Sequence, residues 1–102
     1  MEKFSTHNEK EINISGTSLV GYVNTTYSKL LEKFDEPTSG DGYKIDAEWE
    51  IEFLDGKVAT IYNYKDGKNY NGSEGLDIDD ITEWHIGGFD NSVVERIQKI
   101  LN

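Results

Sequence analysis

Apolar and polar residues alternate from Ile45 to Phe53, where Ile45, Ala47, Trp49, Ile51 and Phe53 are separated by Asp46, Glu48, Glu50 and Glu52. A period of two is that of a strand with one face buried. Asp55-Gly56 follows as a two-residue type I′ turn and predicts a hairpin with a return strand over 57–65. With that turn, Phe53 stands opposite Val58, Ile51 opposite Thr60, Trp49 opposite Tyr62 and Ala47 opposite Tyr64, all on one apolar and aromatic face. The other face pairs Glu52 with Ala59, Glu50 with Ile61, Glu48 with Asn63 and Asp46 with Lys65, and is acidic.

Two segments carry helical spacing instead. Tyr27, Leu30, Leu31 and Phe34 fall at i, i+3, i+4 and i+7 behind a capping Thr25 or Thr26, and Pro37 with the Thr38–Gly42 run ends that helix. Val93, Val94, Ile97, Ile100 and Leu101 form a second stripe that starts near Asn91 or Ser92, with Ser92 and Glu95 at capping-box spacing. A β-prone stretch over Ile14–Val23, bent at Gly16 and Gly21, precedes the first helix, and a further strand over Ile81–Ile86 ends at Gly87-Gly88. Residues 66–80, rich in Gly, Asn and Asp, read as a long loop. The order is β-α-β-β-β-α, which predicts an α+β fold: a small antiparallel sheet with two helices packed on one face. Residues 1–13 show little periodicity and read as a flexible N-terminal arm, leaving 14–102 as a single ligand-binding domain.

At 102 residues the chain supports one core. The absence of cysteine rules out disulfides, thiolate metal sites and thiol nucleophiles, and suits a reducing cytoplasm. No apolar run approaches the roughly 20 residues that span a bilayer, and the polar N-terminus does not resemble a secretory signal. Twenty acidic against ten basic residues give a net charge of −10, which disfavours duplex nucleic acid as a partner. The same charge fits either an acidic nucleic-acid mimic or a binder of a small ligand met by local cations and backbone N–H groups.

Candidate chemistry is sparse in the catalytic sense. His7 and His85 are the only histidines, and without cysteine they assemble neither a zinc site nor a nucleophile–base pair, so the expectation is a protein that is not an enzyme and needs no metal or cofactor. The carboxylates of Asp46, Glu48, Glu50 and Glu52 read as a solvated strand face, and Asp77, Asp79 and Asp80 lack the ligand spacing of an EF-hand. The aromatic content points instead to stacking, because a nucleobase on an aromatic ring gains roughly 1–3 kcal/mol whatever its identity. Tyr22, Tyr62, Tyr64 and Trp84 are the stacking candidates, with Lys44, Lys65 and Lys68 close in sequence. Trp84-His85-Ile86-Gly87-Gly88 joins a ring, an imidazole and two glycine amides just before a helix, a combination suited to an anion. The expected ligand-binding set is Thr17, Ser18, Tyr22, Tyr62, Tyr64, Lys65, Trp84, His85, Gly87 and Gly88, with Thr17, Ser18, Lys65 and the Gly87-Gly88 backbone holding phosphates.

The segments Gly16–Val23, Tyr27 with Leu30, Phe34–Pro37, Ala47-Glu48-Trp49, Asp55–Tyr62 and Trp84–Gly88 resemble, in order, a widespread family of short phage-encoded proteins, with Asp35 standing where its members carry Gly. The chain is similar to the phage anti-CBASS sponge proteins, small oligomers that sequester cyclic nucleotide signals without cleaving them. The resemblance implies a homo-oligomer, taken as a tetramer, acting in the host cytoplasm on a cyclic dinucleotide or related nucleotide signal such as cyclic GMP-AMP. The alternative expectation is an acidic mimic that inhibits a host nuclease or CRISPR effector.

Overall fold

The computed structural model describes residues 3–102. Five antiparallel strands, β1 (Phe4–Thr6), β2 (Ser18–Asn24), β3 (Glu48–Phe53), β4 (Val58–Tyr62) and β5 (Glu83–Gly88), form one sheet in the order β1-β3-β4-β5-β2. Helix α1 (Tyr27–Phe34) and helix α3 (Ser92–Leu101) pack on the same sheet face, and the short helix α2 (Lys68–Asn71) interrupts the connection between β4 and β5. The α+β class and the placement of both long helices follow the expected pattern.

The core explains that placement. Leu30 and Phe34 of α1 and Val93, Ile97 and Leu101 of α3 cluster with Trp49, Ile51, Ala59, Ile61, Trp84, Ile86 and Val23 from four strands. Fully burying one such side chain contributes roughly 1.5–3 kcal/mol, so this layer dominates the stability of the fold. Thr26 caps α1 by accepting from the Lys29 amide at 3.1 Å. At α3 the expected Ser92 cap is replaced by Asp90, whose carboxylate accepts from the Ser92 amide and hydroxyl.

Four expectations are corrected. The hairpin does not turn on two residues: Phe53 N–H donates to Lys57 O and Gly56 N–H to Phe53 O, so the loop is Leu54-Asp55-Gly56 with Gly56 at φ 90°. A type I turn followed by a left-handed glycine is the three-residue alternative to the type I′ turn, and it shifts the register by one. Glu48 therefore pairs with Tyr62, Glu50 with Thr60 and Glu52 with Val58, while Trp49 pairs with Ile61. Tyr62 consequently shares a face with the glutamates and not with Trp49. Second, the segment read as a flexible arm is docked on the sheet: β1 pairs with β3, Phe4 packs on Phe34 with ring centroids 5.2 Å apart, and Ile12 is buried. His7 Nδ1 accepts from the Glu50 amide at 3.2 Å, which leaves Nε2 to donate to Glu36 O at 2.8 Å. Residues 1 and 2 of that arm lie outside the described residues. Third, the strand read over Ile81–Ile86 runs instead over Glu83–Gly88, so Gly87 and Gly88 are its last two paired residues and not a turn beyond it. Fourth, residues 66–80 are not a bare loop but contain α2 and two 3₁₀ turns, Gly72–Glu74 and Ile78–Asp80.

Candidate functional site

With both long helices on one face, the sheet leaves its other face open. The corrected register draws a row across four strands of that face: Glu48 pairs with Tyr62, Tyr62 with His85, and His85 with Tyr22. The His85 ring is the hub, with centroid distances of 4.9 Å to Tyr22, 5.4 Å to Tyr62 and 5.7 Å to Tyr64. Such spacings are those of favourable ring contacts. Tyr22, nearly half exposed at 47%, presents its ring to solvent at the edge of the sheet.

A groove of about 240 Å³ opens beside this row, lined by Ile14, Thr17, Ser18, Ile45, Glu48, Thr60, Tyr62, Tyr64 and Gly87. Its floor depends on Gly87, where a Cβ would collide with Thr60 Oγ1. One wall is the loop before β2, where Thr17 Oγ1 donates to Ile14 O at 2.8 Å. The opposite wall comes from the segment before β3. Asp41 Oδ1 accepts from the amides of Tyr43, Lys44 and Ile45, and these bonds hold its carboxyl below the usual range. Asn63, fully buried, joins the two hairpin ends: its carbonyl accepts from the Asp46 and Ala47 amides, and its amide donates to Asp46 and Asp66 carboxylates at 2.9 Å. The chain leaving β4 is thereby fixed, with Lys65 in a left-handed conformation at φ 61°. The Lys65 ammonium lies 5.3 Å from the Tyr64 ring centroid and 5.5 Å from that of Tyr70, and the Lys44 ammonium 5.9 Å from Tyr64.

The electrostatics of the row are specific. Burial, then the charges of Glu50 and Asp41 and a hydrogen bond with Glu50, push the Glu48 carboxyl up to about 7. Burial lowers the His85 imidazole below its ordinary value against the pull of Asp66 and Glu83. Burial also raises the Tyr62 phenol, assisted by Glu48. The carboxylates of the 46–52 run do not form a uniform ladder. Asp46 is engaged by Asn63 and Asn69, Glu52 is paired with Lys10, and Glu48 shares a hydrogen bond with Glu50. An even row of free charges, which imitation of a phosphate backbone needs, is not what this face offers.

Of the expected ligand-binding residues, Thr17, Ser18, Tyr62, Tyr64 and Gly87 line the groove, Tyr22 and His85 complete the ring cluster, and Lys65 stands at its rim. Two do not belong. Trp84 is fully buried among Trp49 and Tyr27, and its indole donates to Ile81 O at 3.2 Å, so it stacks within the core and cannot reach a ligand. Gly88 faces α3, where a Cβ would meet Val93. The expected role of the Gly87-Gly88 amides also fails: both glycines are paired with β4 on one side and β2 on the other, so their backbone belongs to the sheet. Glu48 is the residue that sequence reasoning assigned to a solvated face and that in fact enters the groove. The signal that finds it is the Leu54-Asp55-Gly56 turn, because only the three-residue loop brings Glu48 opposite Tyr62.

Among the described residues no group of three or more His, Asp or Glu is placed to hold a metal ion, and no helix is long and apolar enough to cross a membrane. Comparison with protein-family models, curated proteins and solved structures finds no match for the chain.

Proposed function

We propose that the chain is a phage counter-defence protein that binds and sequesters a cyclic dinucleotide or related nucleotide signal, such as cyclic GMP-AMP, without cleaving it, and so inhibits CBASS in the host cytoplasm. The observation that carries this is the gathering of Tyr22, Tyr62, Tyr64 and His85 around one groove on an open sheet face, with Lys44 and Lys65 at the rim. Rings supply stacking surfaces for bases, and the two ammonium groups are local positive charge on a chain whose net charge is −10.

The size of the groove bears on assembly. About 240 Å³ falls short of the roughly 300–1,000 Å³ of pockets that enclose whole small molecules. One protomer therefore holds a base-sized fragment, and a homo-oligomer brings a second groove to the other half of a dinucleotide.

The test is to incubate the purified protein with cyclic di- and trinucleotides, remove free ligand, heat the complex and identify what is released. Intact release from the wild type, with Tyr62→Ala folded but empty, is the expected result. No retained nucleotide would sink the proposal, and a chemically altered product would replace sequestration with catalysis.

A further inference from the structure

Glu48 is an unusual lining for a nucleotide site. It reaches the groove beside Tyr62 and Tyr64 while the cations sit at the rim by Tyr64, so the site has an acidic wall and a basic mouth. A phosphate is repelled by the first and drawn to the second. A ligand with both a donor-bearing base and a phosphate is thus oriented base inward.

The chemistry of the acidic wall then discriminates among bases. Above about pH 7 the Glu48 carboxyl is ionised and has only acceptors to offer. The Watson–Crick edge of guanine presents two adjacent donors, N1–H and the N2 amino group, which a carboxylate meets with both oxygens. The adenine and cytosine edges put a ring-nitrogen acceptor beside their amino group, and uracil has one donor between two carbonyls, so each sets a lone pair against a carboxylate oxygen. We propose that this groove reads guanine, with Glu48 as the residue that determines specificity, Tyr62 and Tyr64 flanking the base, and Lys44 and Lys65 receiving the phosphate. The assignment rests on the nucleotide reading of the site and narrows it to guanine-containing signals.

The experiment compares cyclic di-GMP, cyclic di-IMP and cyclic di-AMP by titration calorimetry at pH 8, where Glu48 is ionised, on the wild type and on Glu48→Gln, with circular dichroism to confirm that both are folded. Inosine lacks the N2 amino group and keeps N1–H. In the wild type, affinity should fall in that order, by about tenfold between successive ligands, because a site built for a donor is left with an unpaired acceptor when the donor is missing. Glutamine offers one acceptor and one donor, the complement of adenine, so the variant should bind cyclic di-AMP more tightly than the wild type does and lose its preference for guanine. A merely structural role for Glu48 would weaken all three ligands alike. Equal wild-type affinities overturn the guanine assignment and leave nucleotide binding standing, whereas no binding by any of the three overturns both.

Discussion

At the scale of single residues, Glu48 ties stability to pH in a direction opposite to that of most surface acids. Its native carboxyl titrates near 7 and its ordinary value is 4.5, so between those limits the native state holds a proton that the unfolded chain has released. Stability from this group is present below pH 4.5 and is lost as pH rises through about 7. The groups that face it are Glu50 on its own strand, Asp41 from the preceding loop and Tyr62 on β4. His85 works the other way in an overlapping window, since its lowered value makes the unfolded chain the better proton acceptor as pH falls. The comparison that isolates Glu48 is therefore wild type against Glu48→Gln. Thermal unfolding should show the variant more stable at pH 8, by on the order of 1 kcal/mol once partial exposure is allowed for, and equal to the wild type at pH 4.5. Parallel pH profiles for the two proteins would show that Glu48 carries no native-state proton.

The elements themselves were largely legible in the sequence, and the failures have local causes. Alternation in β3 and the i, i+3, i+4, i+7 stripe of α1 name residues that are buried, including Trp49, Ile51, Phe53, Leu30 and Phe34. The register was not legible, because Asp55-Gly56 suits both a two-residue and a three-residue turn, and only the backbone bonds of Phe53 and Gly56 choose between them. That single slip moved Tyr62 and Glu48 to one face and hid half of the candidate site. Strand β1 was not legible because three residues are too few to show a period, and it is held by groups remote in sequence. The end of α1 gives the element-scale prediction. Asp35 caps that helix at φ 64° and ψ −154°, a region that glycine alone enters without strain, while its amide donates to Leu31 O and its carbonyl accepts from the Trp49 indole at 2.7 Å. The conformation is imposed by those two bonds. Asp35→Gly keeps both and removes the strain, so it should stabilise the protein by about 1 kcal/mol in denaturant melts. Asp35→Ala, which keeps the Cβ, should not.

For the whole molecule, the outer side of β2 is the edge at which a second copy would add a strand. With the order β1-β3-β4-β5-β2, β2 is an edge strand, and among the described residues the only backbone partner its seven residues have is β5. An unpaired edge is a template for another strand, and soluble proteins guard it with charge, proline or a bulge. Here a bulge between Leu19 and Gly21 is the only such guard, for the chain carries no Asp, Glu, Lys or Arg from Asn13 to Ser28 although charged residues make up 29% of it. A chain of net charge −10 repels its own copy over most of its surface, and an uncharged edge is where that repulsion is least. Antiparallel pairing of Gly21–Asn24 with the same segment of a second copy would be self-complementary, as a two-fold axis requires, and would bring two Tyr22 rings and the two open faces onto one continuous sheet. Light scattering coupled to size exclusion should therefore report an oligomer whose association strengthens as salt screens the net charge. Asn24→Glu, at an exposed position within that segment, should convert it to monomer without loss of helix signal and, on the nucleotide reading, should weaken retention, because a groove of about 240 Å³ would hold only part of the ligand. A wild type that is monomeric at every salt concentration would show that the β2 edge does not join copies. Full nucleotide retention by the monomeric variant would instead show that one groove is a sufficient site.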